Sequence, residues 1–470
     1  MTTIVKDTIY ALSSGNPPCA VSIVRVSGLC GERPIVPRRA TLRAIRHPTT
    51  DEHLDDALVL YFPANNSFTG EDVLELQVHG SPAVVRDVLL ALAHVPLAPL
   101  RPALPGEFTR RAFEHGRMDL NSCEALDALL RAETSTQRRL ALQTGGGRQA
   151  QLYASIRKEL LEAMVRVEAM LDFSDEDEID DALWRPVCAS VESLRARIRR
   201  EIPQGKHSYL DAVLHGTRLV LYGRPNAGKS MLLNRLVRRE AAIVSSEPGT
   251  TRDVVQVALE LHGFRVLLTD TAGLREATGE IERIGITRTR THVTEADLAI
   301  LVCDAPDVCE MLGGVPPSGA WHIPKEALEQ LGMLPTDAEV LVFMNKMDLV
   351  DAPPPADQGV PCTIWHGSAL EDRGIDTLLA GLGELLQARH EAEMGEPPLV
   401  TEARHLHLLR HVLEALDTFA TTFIEAPQPD LTLAAEELRH AAYLIGQITG
   451  ETLAADEVLG GIFSRFCIGK

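Results

Sequence analysis

No stretch of this sequence is apolar and uncharged over enough residues to cross a bilayer. The opening Met1-Thr-Thr-Ile-Val-Lys6 has neither the apolar core of a signal peptide nor the Arg- and Ser-rich character of a transit peptide. Eight cysteines are scattered without metal-ligand spacing, which argues against a zinc framework and suits reduced thiols. Positive charge is scarce as well: 46 Lys and Arg stand against 66 Asp and Glu, for a formal net charge of -20. That excludes a general polyanion-binding surface, so any nucleic-acid contact has to be local or supplied by a partner. These absences together lead us to expect a soluble, cytoplasmic chain without membrane association. Enough remains for ordinary cores, since 45% of the 470 residues are apolar, and the length suits about two to four domains.

Three kinds of sequence follow one another. Residues 1–117 mix short alternating runs, such as Val21-Ser-Ile-Val-Arg25-Val and Ala57-Leu-Val-Leu-Tyr61, with Pro/Gly turns and one helix-like segment, 84–93. They read as a small α/β domain. Over 118–213 the apolar residues take helical spacing, as in Leu152, Ile156, Leu160, Met164, Val167 and Leu171, with Gly145-Gly-Gly147 as a break or kink. Residues 214–382 return to strand-like runs. From 383 to 470 helical spacing resumes at Leu406, Leu409, Leu413 and Leu416 and again over 438–448. The fold class expected is multidomain α/β plus α, the two helical stretches packing together around an inserted domain.

The inserted stretch carries the chemistry. Gly223-Arg-Pro-Asn-Ala-Gly-Lys229-Ser230 fits the Walker A pattern and follows the apolar run Arg218-Leu-Val-Leu-Tyr222. Such glycines let backbone N–H groups close around phosphates, the lysine supplies a point charge, and the serine hydroxyl can ligate Mg²⁺. Asp270-Thr-Ala-Gly273 ends a second apolar run, placing a carboxylate for the Mg²⁺ shell and a glycine N–H for the γ-phosphate. Asn345-Lys-Met-Asp348 ends a third, and a carboxylate there can accept from guanine N1–H and N2–H₂, a donor pair that adenine lacks. Ser368-Ala369 closes the series with a backbone N–H for the guanine oxygen. Four loops in this order, each at a strand's carboxyl end, describe a Ras-like G domain.

Two catalytic parts of such a domain are missing. The position after Asp-x-x-Gly, where a Ras-like enzyme has its water-orienting Gln, is Leu274, and no arginine finger is evident. Glu276, Glu280 and Glu282 are the nearby candidates to position water, and Asn226 is a candidate ligand for a replacement cation. Three charged clusters stay open: the acidic run 172–181 is a solvated turn or a metal or partner site, while Arg131, Arg138, Arg139 and Arg148, and Arg195, Arg197, Arg199 and Arg200, are exposed helix faces or a phosphate track.

Asn226 within the Walker A loop, Pro248-Gly-Thr-Thr-Arg-Asp253, Asp270-Thr-Ala-Gly-Leu-Arg275 and the terminal Phe466-Cys-Ile-Gly-Lys470 together resemble the MnmE (TrmE) family of tRNA-modification GTPases. Ser67-Phe-Thr-Gly-Glu-Asp-Val-Leu-Glu75-Leu and Pro105-Gly-Glu-Phe-Thr-Arg110 agree with it. The resemblance implies an N-terminal dimerisation and folate-binding domain (1–117), a split helical domain (118–213 and 383–470) and a G domain (214–382). It implies a cytoplasmic homodimer that joins the flavoprotein MnmG (GidA) in a heterotetramer, acts on tRNA, and adds a carboxymethylaminomethyl or aminomethyl group at C5 of the wobble uridine. GTP contacts by similarity are Asn226, Ala227, Gly228, Lys229, Ser230 and Met231; Ser245, Ser246, Glu247, Pro248, Gly249, Thr250 and Thr251; Asp270, Thr271, Ala272 and Gly273; Asn345, Lys346 and Asp348; and Ser368 and Ala369. K⁺ would be held at Asn226, Ser245, Glu247 and Thr250, and Mg²⁺ at Ser230 and Thr251. Glu282 matches the family's water-positioning glutamate, and Lys229 and Cys467 complete the catalytic candidates. A 5-formyl-tetrahydrofolate, the one-carbon donor, would meet Arg25, Glu75, Arg117 and Lys470. Cys467 is either an acid/base or nucleophilic group beside the folate or a small buried hydrophobe. Asn16-Pro-Pro-Cys-Ala20 and residues 29–47 depart from the family pattern, and Arg117 stands where many relatives have Lys. Two other classes compete: a GTP-switched ribosome-assembly factor, and a nucleotide-gated scaffold.

Overall fold

Alternation of inward and outward side chains organises the first hundred residues. In the structure, a computed structural model, the described residues are 7–28, 35–96, 100–173, 181–202, 209–239, 242–243, 256–270, 292–311, 339–350, 363–391, 400–426, 428–450 and 456–470. They form two compact units, one of residues 1–131, 141–202 and 399–470 and the other of 132–140 and 203–398. In the first unit β1 (Thr8–Leu12), β2 (Val21–Ser27), β3 (Thr41–Arg46), β4 (His53–Phe62), β5 (Val73–His79) and β6 (Leu100–Pro102) lie in the order β3-β4-β5-β2-β1-β6. Neighbours pair antiparallel except β1 with β6. Ala57 and Val59 of β4 join Val24, Leu76 and Val78 and meet Val85 and Val88 of α1 (Pro82–Leu92) in one core, as period-two strands with one covered face require. Helices α2 (Glu107–Glu114) and α3 (Leu120–Arg131) follow. The triple glycine breaks the chain as expected: α4 (Ser135–Gly145) stops there, Gly147 takes φ 84°, and α5 (Arg148–Phe173) begins, followed by α6 (Asp181–Glu201).

The second unit contains α7 (Tyr209–His215), β7 (Thr217–Tyr222), α8 (Lys229–Arg239), β8 (Ala242–Ile243), β9 (Gln256–Leu261), β10 (Phe264–Asp270), β11 (Leu298–Asp304), α9 (Ala305–Met311), β12 (Glu339–Asn345), β13 (Ile364–His366) and α10 (Ile375–Glu391). Its sheet runs β13-β12-β11-β7-β10-β9-β8, parallel from β13 to β10 and antiparallel at β9 and β8. β7 and β11 are buried almost end to end, which is why they read as continuous apolar runs rather than alternating ones. The order reverses direction around β7, so the loop after β7 sits at the sheet's switch point, where open sheets of this kind hold ligands.

Back in the first unit, α11 (Ala403–Phe419) and α12 (Leu431–Thr449) pack with α5 and α6 around one core. Ile156, Leu160, Ala163 and Val167 recur every three to four residues along one stripe of α5, and all are fully buried. The two helical stretches, more than two hundred residues apart, thus share a single interior. Asp430 caps α12 by accepting from the Thr432 and Leu433 N–H groups, and Gly450 ends it at φ 78°. Beyond α13 (Asp456–Phe463), the tail returns to β1, where the Ser13 hydroxyl donates to Gly469 O at 2.9 Å. Among the described residues no helix is long and apolar enough to cross a membrane.

Candidate functional site

The loop between β7 and α8 is closed by backbone that side chains would block. Gly223 and Gly228 take φ 141° and 92°, and a Cβ would run into Val302 O at the first and Asn345 Nδ2 at the second. Asn226, at φ 63°, is one of the few residue types that enters the left-handed region readily. Lys229 opens α8, and its buried ammonium donates to Gly223 O (3.0 Å) and Arg224 O (2.8 Å), bridging the loop from inside. Ser230 and Met231 follow on the exposed side of the helix.

Asn345, at the carboxyl end of β12, is the hub of the base side. Its amide donates to Ala227 O at 2.8 Å and accepts from Ala369 N–H at 2.9 Å, joining the phosphate-type loop to the Ser-Ala loop. Lys346, at φ 61°, pairs with Asp304 at the end of β11. Asp348 Oδ1 is buried with no hydrogen-bond partner among the described residues, as a carboxylate kept for a ligand donor would be. Ser368 N–H donates to Arg373 O and Ala369 N–H to Asn345 Oδ1, so both groups expected to read a guanine oxygen are already engaged within the protein. Sequence reasoning passed over Arg235 on α8, whose guanidinium donates to Ala369 O at 2.9 Å and Leu370 O at 3.0 Å. Its partners lie some 130 residues on, beyond any local signal.

Asp270 is the last residue of β10, opposite Leu221. Ser245, Ser246, Glu247, Pro248, Gly249, Thr250 and Thr251, and Thr271, Ala272, Gly273, Leu274, Glu276, Glu280 and Glu282, lie outside the described residues, as does most of the acidic run.

In the first unit, Arg25 on β2 and Glu75 on β5 face each other across the sheet and pair at 2.9 Å, with the guanidinium over the rings of Phe68 (5.3 Å) and Phe108 (5.7 Å). The aromatic contacts hold the cation half-buried without neutralising it. Arg117, exposed just after α2, lies along Gly70, where a Cβ would stand 3.3 Å from its Cγ. At the tail, Gly469 adopts φ 97° with its Cα against the end of β1, too close to Leu12 O for a Cβ, and Lys470 is partly exposed. Cys467 is exposed, which overturns the buried-hydrophobe alternative: Phe466 beside it takes the interior place instead, with Cys123 and Phe463.

The Arg195 cluster belongs to a helix face rather than to a free cationic track, for Arg195 and Arg199 pair with Asp417 and Arg197 with Glu159. A second cluster had no sequence signal. Glu124 of α3 accepts from Arg404 and from buried His405 on α11, and His405 also meets Tyr153 and Gln149 of α5. Burial pushes the Glu124 carboxyl up, but those two donors prevail and hold it down at about 2. Burial moves Glu402, one turn away and near the negative charges of Glu124 and Asp127, the other way, up to about 7.

A glycine-rich loop, an embracing lysine and an asparagine hub at the switch point of a largely parallel sheet are the architecture of a phosphate-loop protein. Comparison with known families narrows this. Residues 8–117 match the model described as the GTP-binding protein TrmE N-terminus, and residues 120–467 match the MnmE helical domain. The chain is 40% identical to the tRNA modification GTPase MnmE of Rhodopseudomonas palustris, covering 99% of both proteins, and 39% identical to that of Brucella canis, covering 99% of this chain and 98% of the relative. It is also 39% identical to the mitochondrial 5-taurinomethyluridine-tRNA synthase subunit GTPB3 of Rattus norvegicus, covering 98% of this chain and 93% of that protein. The chain belongs to the MnmE (TrmE) family.

Proposed function

We propose that this chain is a GTP hydrolase that works in modification of the tRNA wobble uridine, with residues 214–382 as an inserted Ras-like G domain. The reading is carried by the Asn345 hub, which ties a Walker A loop to a base-side loop beside an unpartnered buried Asp348 oxygen. That arrangement suits a ligand with phosphates at one end and a guanine N–H pair at the other. Lys229 would exchange its loop carbonyls for the β/γ-phosphates. Ser230 and Thr251 would hold Mg²⁺, and Asn226 with Ser245, Glu247 and Thr250 would hold K⁺; these ions would supply positive charge where an arginine finger is lacking. Asn226 fits that role because it is exposed on the loop and brings a neutral oxygen. Glu282 is assigned to orienting water.

Residues 1–117 would form the dimerisation and folate-binding domain. The Arg25–Glu75 pair suits a pterin that presents N–H donors and a carboxylate tail, with Arg117 and Lys470 as further cations. The proposed partners are a second copy of the chain, MnmG and tRNA, and the proposed compartment is the cytoplasm. Mass spectrometry of tRNA nucleosides from cells lacking the gene tests the function. Loss of a 5-substituted wobble uridine, restored by the wild-type gene, is expected. An unchanged nucleoside profile would overturn the reading.

A further inference from the structure

Arg235 lies six residues beyond Lys229, about 9 Å along α8, and reaches the loop between β13 and α10. Its Nε donates to Ala369 O at 2.9 Å and its terminal nitrogen to Leu370 O at 3.0 Å, a planar fork closing on two successive carbonyls. The nearest carboxylate oxygen to its Nε, on Asp372, is farther off at 3.9 Å, so the carbonyls rather than an ion pair order this side chain. The other side of the loop is held by Asn345, which takes the Ala369 N–H. A trans peptide points its C=O and N–H in opposite directions. Fixing Ala369 O on Arg235 therefore aims the Leu370 N–H away from α8, and that N–H has no acceptor among the described residues.

We infer that Arg235 is a positioning residue for base recognition, setting the orientation of the loop that meets the guanine 6-oxygen and tying it to the phosphate loop through one helix. The inference rests on the guanine-nucleotide reading above. Arg235 touches no ligand itself; it acts through the 369–370 peptide. A lysine there, with one compact charge, would not span both carbonyls.

The test is competition for a fluorescent GTP analogue bound to the full chain, using GTP and 2,6-diaminopurine riboside triphosphate, which has an amine in place of the guanine oxygen. Arg235→Ala should weaken GTP by roughly tenfold, the upper scale of one lost neutral hydrogen bond to the base, and the diamino nucleotide by no more than about threefold. Selectivity thus falls, and Arg235→Lys should recover part of it. In steady-state hydrolysis the loss should appear more in KM than in kcat. Equal weakening of both nucleotides, the mark of a general structural role, would overturn the inference, as would an unchanged ratio. A wild type without preference for GTP would sink the guanine reading itself and this inference with it.

Discussion

Asn226 and Glu402 show how much a single side chain can carry. Asn226 sits in left-handed backbone on an exposed loop, so its amide is displayed rather than packed. If it holds K⁺ in place of an arginine finger, GTP turnover should be faster in K⁺ than in Na⁺ at equal ionic strength, on the order of tenfold. Asn226→Ala should abolish the difference. Equal wild-type rates in the two salts would refute a K⁺ role. Glu402 poses a different question. Its carboxyl is raised to about 7 from an ordinary 4.5, so the folded state favours its protonated form. Stability is therefore lost as pH climbs from 4.5 to 7 and stays lower above that, because the unfolded chain releases the proton first. Glu402→Gln, a neutral mimic, should stabilise the chain at pH 8 by on the order of 2 kcal/mol and change little near pH 4.5. Urea unfolding at the two pH values measures this, and an equal gain at both would contradict it.

At the level of elements, pattern strength decided what was legible beforehand. The α5 spacing, the breaks at the triple glycine and the apolar runs ending at Tyr222, Asp270 and Asn345 all predicted elements that exist, because burial on one stripe or on both faces leaves a period in the sequence. Leu160 lies on that α5 stripe, fully enclosed by the four-helix core. Leu160→Ala should cost about 2–5 kcal/mol in unfolding free energy, with the spread set by how far the cavity collapses. A loss below about 1 kcal/mol would mean that this core is looser than its burial indicates. The Glu124–Arg404–His405 cluster was invisible for the converse reason. Its members come from α3 and α11, and no periodicity marks a polar group that is buried only because a distant one pairs with it.

Over the whole molecule, the sites proposed for GTP and for folate fall in different compact units, so their losses should separate. The tail bearing Cys467 is anchored at the end of β1 by Gly469 and beside Cys123 and Phe463 by Phe466, leaving the thiol exposed. Cys467→Ser should keep salt-dependent GTP hydrolysis yet fail to restore modified uridine in a deletion strain. Normal modification at matched protein level would remove Cys467 from the catalytic list. Sequence by itself determined the phosphate loop, the strand ends that carry the nucleotide motifs, the helical stripes and the family, since each is written in local spacing or in a contiguous motif. The tertiary structure alone decided that Phe466 rather than Cys467 is buried, that acidic neighbours neutralise Arg195, Arg197 and Arg199, and that Arg235 grips the loop at Ala369 and Leu370. Those outcomes depend on which distant carboxylate, carbonyl or ring a side chain meets, and only the folded chain brings such groups within reach.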